Sequence, residues 1–163
     1  MELTYLDLEQ GGDHRILVWS VPYEGTASFA TGTRDGPLAI LRSSSEIETW
    51  DEELGLDLED LVHFRNLPCF RAPASGPEQV QSEMLSSLRE HLSPQKDFLL
   101  TLGGEHSAAL APITAYRESH PDMAVLQLDA HADLRESFQD TPYSHACVMS
   151  RLLEQGIPLV QIG

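Results

Sequence analysis

Basic residues are scarce in this chain of 163 residues: 10 Lys and Arg stand against 26 Asp and Glu, a formal net charge of −16. A protein that grips nucleic acid needs a basic face for the phosphates, so this balance argues against nucleic acid as a partner. The acidic excess keeps a protein soluble, and it also draws cations: metal ions, or a small cationic substrate. Cysteine is almost absent. Cys69 and Cys147 form neither a Cys-x-x-Cys pair nor a disulfide framework, so both are read as reduced thiols, with Cys147 a packing residue. No apolar run approaches the ~20 residues of a membrane helix. The acidic start Met1-Glu2-Leu3-Thr4-Tyr5 lacks the basic opening of a signal peptide, which makes the cytoplasm the expected location. Repeats and low-complexity tracts are missing as well. What remains is a chain with 41% hydrophobic residues, long enough for one domain with a real core.

Apolar runs and turn formers alternate along it. Arg15 to Val21 reads as a first strand, followed by a glycine-punctuated loop from Pro22 to Gly36. Pro37 to Ser45 predicts a short helix, Thr49 to Asp60 an irregular acidic connection, and Leu61 to Phe64 a weak second strand. Val80, Met84, Leu85, Leu88 and Leu92 recur at helical spacing, which predicts a helix from Pro77 to Leu92. Strands are expected at 98–102, 123–128 and 158–163, and helices at 107–119 and 144–155, with Gly156 closing the latter. Strands alternating with helices give an α/β class with a mainly parallel sheet.

Chemistry concentrates where two of these strands end. Asp129-Ala130-His131-Ala132-Asp133 follows one apolar run and offers two carboxylates and an imidazole within five residues. Mn²⁺, Fe²⁺ and Zn²⁺ accept such a set, and carboxylate-rich sites lean toward Mn²⁺. An exposed acidic turn with an incidental histidine is the plainer alternative. Gly103-Gly104-Glu105-His106-Ser107 follows a second run, and its glycines allow a tight turn and close backbone approach. Glu105 is read as a support for a ligand rather than a ligand. His145, at the start of a helix, is placed to shuttle a proton. His14, His63, His91 and His120 lack such surroundings.

These blocks together resemble the ureohydrolase superfamily of arginases and agmatinases, the agmatinase branch most of all. Gly-Gly-Glu-His-Ser at 103–107 is similar to the family's Gly-Gly-Asp-His-Ser, and 129–133 matches its Asp-Ala-His-x-Asp. Tyr143-Ser144-His145-Ala146-Cys147 resembles its Ser-His-Gly block. Pro22 to Thr26 and Gly36 to Ile40 resemble the agmatinase entry segment. The resemblance implies a three-layer α/β/α fold, of which residues 1–163 are the N-terminal part of a single domain. It implies two Mn²⁺ ions: His106 and Asp133 on one, His131 on the other, and Asp129 bridging them. It implies hydrolysis of a guanidino group by hydroxide shared between the ions, with His145 supplying the proton to the departing amine. Agmatine, giving putrescine and urea, is the favoured substrate; guanidinobutyrate, formiminoglutamate and arginine remain open. Trimers or hexamers are common in the family.

Two further metal carboxylates of the family lie in a later Ser-x-Asp-x-Asp-x-x-Asp-Pro block, which does not occur here. The sequence therefore reads as C-terminally truncated. The family places later strands between its third and fourth, which predicts a gap in the sheet between Leu102 and Met123. The expectation for these 163 residues alone is weak metal binding and little turnover. A non-catalytic ureohydrolase-like subunit is the alternative.

Overall fold

The computed structural model describes residues 3–8 and 14–163; Met1 and Glu2 of the acidic start lie outside the described residues. In chain order the elements are β1 (His14–Val21), α1 (Gly36–Ser44), β2 (Trp50–Asp51), β3 (Leu56–Asp57), α2 (Leu58–Leu61) and β4 (Val62–Asn66). Then come α3 (Pro77–His91), β5 (Phe98–Gly103), α4 (Leu110–Arg117), β6 (Val125–Leu128), α5 (Val148–Glu154) and β7 (Leu159–Ile162). Among the described residues no helix is long and apolar enough to cross a membrane.

The first sheet is parallel, in the order β4-β1-β5. β1 is its centre and is buried on both faces, which is why its sequence is apolar almost without interruption. Leu17, Trp19 and Val21 pack on Val80, Met84 and Leu88 of α3 and on Ala111 and Ala115 of α4. Val18 points the other way, into a cluster with Leu8, Phe64 and Leu102 that Leu41 of α1 and Leu58 of α2 border. Helices thus cover both faces, giving three layers. Val80, Met84 and Leu88 are at most 1% exposed, and each contributes about 1.5–3 kcal/mol by leaving water.

β6 and β7 form a second parallel sheet. Val125 and Leu159 pack on Val148, Met149 and Leu152 of α5. α5 stops in a Schellman motif: Gly156 has φ +72°, its N–H bonds Leu153 O, and Ile157 N–H bonds Leu152 O. On the opposite face Leu126, Leu128, Val160 and Ile162 stand in register, 55–73% exposed. Among the described residues β5 and β6 share no ladder, so the gap expected between Leu102 and Met123 is present.

One reading needs correction. The stretch from Thr49 to Asp60 is not irregular: β2 and β3 pair as an antiparallel hairpin, and α2 follows with Asp57 accepting from Glu59 N–H as its cap. Two-residue strands are too short to show alternation, which hid them.

Candidate metal centre

The loop after β5 is stitched to the segment after β1. Gly104 N–H donates to Val21 O (2.9 Å) and Glu105 N–H to Tyr23 O (2.8 Å). A Cβ on Gly104 would meet Tyr23 O at 2.1 Å, so only glycine allows this approach. Glu105 turns inward and is 6% exposed. Its Oε2 accepts Thr26 N–H (2.6 Å), and its Oε1 accepts the hydroxyls of Thr26 and Ser107 (both 2.6 Å). Both of its oxygens are engaged, by Thr26 of the entry loop and by Ser107 of its own loop, as suits a support rather than a ligand. Burial and then the charge of Glu105 push the Tyr23 phenol up to about 12.

His106 follows, opening a 3-10 turn (His106–Ala109). Its Nδ1 lies 2.7 Å from Asp133 Oδ2 and 3.5 Å from Asp129 Oδ2. One donor atom from each of His106, Asp129 and Asp133 falls within 4.8 Å of the others. Two strand ends that share no ladder thus meet through their side chains.

The loop from Asp129 to Asp133 is held from three sides. Asp129 N–H donates to Ile162 O of β7 (3.1 Å). Gln127 Nε2 reaches His131 O (3.2 Å) and Asp133 Oδ2 (3.4 Å), and Gln161 Nε2 reaches Ala132 O (2.8 Å). Asp133 sits at φ +49°, a left-handed conformation that aspartate tolerates better than most residues. Its carbonyl accepts the N–H groups of Met149 and Ser150 in the first turn of α5. Sequence reasoning missed Gln127 and Gln161. The signal was a single polar residue inside each apolar run.

His131 does not join the three-residue group. Its side chain is 82% exposed and, among the described residues, reaches only Asp129, Nδ1 to Oδ1 at 3.3 Å. Its backbone N–H also bonds Asp129 Oδ1 (2.9 Å). That N–H, against the opposing effect of burial, holds the Asp129 carboxyl below its usual range, helped by His106.

His145 lies in a second 3-10 turn (His145–Cys147), capped by Ser144 and packed against the turn of His106. Its N–H donates to Thr26 Oγ1 (2.9 Å) and its ring meets Phe138 edge-on. Cys147 is fully buried, and burial pushes its thiol up; it packs, as read.

One imidazole and two carboxylates suit a divalent first-row cation. Ligands about 2.1 Å from an octahedral ion lie about 3 Å from each other, and the contacts of 2.7 and 3.5 Å around His106 Nδ1 straddle that spacing. The residues present therefore fit a metal ion.

Residues 14–163 match the arginase family. The chain belongs to the arginase family. It is 40% identical over 151 residues to an N(1)-aminopropylagmatine ureohydrolase of Thermus thermophilus, covering 91% of this chain and 50% of that protein. A Synechocystis protein of the same name is 34% identical over 156 residues, 93% of this chain and 51% of its own length. Proclavaminate amidino hydrolase from Streptomyces clavuligerus superposes with a TM-score of 0.81 at 26% identity, covering all of this chain and 56% of that one. The chain spans about half the length of the curated relatives it matches.

Proposed function

We propose that this chain is part of a metal-dependent hydrolase acting on a guanidino group. The observation that carries the reading is the meeting of His106, Asp129 and Asp133 at two facing strand ends in a chain of the arginase family. His106, Asp129 and Asp133 would hold one cation, and His131, outside that group, would extend toward a second through Asp129. Mn²⁺ is the ion the carboxylate content favours. Bound divalent ions supply a water that ionises near neutral pH and a field that stabilises developing negative charge.

The chain's own residues do the rest. The net charge of −16 draws a cationic guanidinium toward the site. Gln127, Gln161 and the first turn of α5 keep Asp133 and its loop in place. His145 holds a proton for the amine that departs when the tetrahedral carbon collapses. Agmatine, yielding putrescine and urea, is the substrate we favour. Its aminopropyl derivative follows from the names of the Thermus and Synechocystis relatives.

Urea release tests this, with Mn²⁺ added, from agmatine, N(1)-aminopropylagmatine and arginine. Both residues 1–163 and the full reading frame containing them are assayed. Release from one of the first two substrates by the full reading frame supports the proposal. No release from any of the three, with metal bound, supports a non-catalytic ureohydrolase-like subunit. That second reading draws on one observation: the described residues bring only three ligand atoms into a single group.

A further inference from the structure

One hydroxyl joins Glu105 to His145. Thr26 Oγ1 carries a single proton and lies 2.6 Å from Glu105 Oε1. A carboxylate oxygen only accepts, so that proton is committed to it. Glu105 cannot swing away: it is buried, and it also holds Thr26 N–H and the Ser107 hydroxyl. Thr26 Oγ1 meanwhile accepts the backbone N–H of His145 at 2.9 Å. A further contact of 3.2 Å joins the same oxygen to His145 Nδ1. The hydroxyl has no second proton for it, so the hydrogen comes from the ring. Ser144 Oγ, 3.3 Å from the same nitrogen, is a hydroxyl that can accept that hydrogen as well. A bare Nδ1 would set its lone pair against that of Thr26 Oγ1; a protonated Nδ1 satisfies both contacts.

We infer that Glu105 and Thr26 fix neutral His145 as its Nδ1–H tautomer and leave Nε2 bare. The hydrogen bond at one ring nitrogen decides which nitrogen carries the proton. Among the described residues no hydrogen bond to Nε2 forms. Nε2 is then the atom that takes up a proton and delivers it to the departing amine, a consequence that rests on the role proposed above for His145. Thr26 and Glu105 are positioning residues, set by a loop that lies 79 positions away from the strand end it serves.

The test is the multiple-bond ¹H–¹⁵N spectrum of the metal-free 163-residue chain, taken where imidazoles are neutral, with His145 assigned by His145→Gln. In the wild type Nδ1 appears at the protonated position and Nε2 at the bare one. Thr26→Val reverses the two, and Thr26→Ser, which keeps the hydroxyl, does not. Glu105→Gln reverses them too, because the new amide N–H occupies Thr26 Oγ1 and turns the hydroxyl proton onto Nδ1. Ser144→Ala leaves the assignment unchanged. An Nε2–H form in the wild type overturns the inference, as does an Nδ1–H form that persists in both Thr26→Val and Glu105→Gln. Urea release plays no part in this readout. Absence of release from the full reading frame refutes the hydrolase reading and leaves the tautomer standing, and the reverse holds equally.

Discussion

Gly104→Ala probes the joint that carries Glu105 and His106. The added Cβ falls 2.1 Å from Tyr23 O, a backbone atom that cannot rotate aside. Ordinary contact requires the two segments to part by at least about 1 Å, and crowding of this kind costs about 1–3 kcal/mol. Parting them also weakens the bonds from Gly104 N–H to Val21 O and from Glu105 N–H to Tyr23 O, each contributing about 0.5–1.5 kcal/mol. The expected loss is about 2–6 kcal/mol, the upper end applying if both bonds are lost outright, a large share of the ~5–15 kcal/mol that holds a domain folded. Gly36→Ala is the matched control. That residue opens α1 at φ −53°, and its Cβ would come no nearer than 3.7 Å to Gly103 O. It should gain up to about 1 kcal/mol from reduced freedom of the unfolded chain. Urea denaturation midpoints measure both. A Gly104→Ala protein within about 0.5 kcal/mol of wild type would refute the reasoning, because the close approach would then carry no structural cost.

Asp97 yields a pH dependence. Its side chain is 2% exposed; burial raises its pKa, but the hydrogen bond from Arg15, Ser93 N–H and the charges of Arg15 and Arg65 outweigh this and lower it. A depressed folded pKa stabilises the protein above the unfolded value of about 3.9 and is lost as pH falls below it. Asp97→Asn should therefore cost about 1–3 kcal/mol at neutral pH, and the difference from wild type should shrink on acidification below pH ~4, as followed by denaturation at several pH values. The bare apolar face of β6 and β7 should drive concentration-dependent self-association. Replacing Leu128 and Ile162, 73% and 59% exposed, by Glu and Lys should raise the monomer fraction in sedimentation velocity; an unchanged distribution would clear that face of responsibility.

Most of the fold was legible because its signals are local. The doubly buried run of β1 and the i, i+4, i+8 series Val80-Met84-Leu88 each declare themselves within a few residues. The gap between the sheets was foreseen from the family resemblance, not from periodicity. At the site, the candidate ligands were visible as motifs, but the residues that hold them in place were not. Nothing near Thr26 announces that it bridges Glu105 and His145, because the contacts span 79 and 119 positions. His131 shows the limit of spacing arguments. In an extended chain residues 129, 131 and 133 would face one way, but Asp133 is left-handed and His131 points out to solvent.

Calorimetric titration of the 163-residue chain with Mn²⁺ tests the metal centre most directly. One weak site is predicted, with Kd above about 10 µM, abolished by His106→Ala and by Asp133→Ala. Two tight sites, or binding that survives Asp133→Ala unchanged, would contradict it.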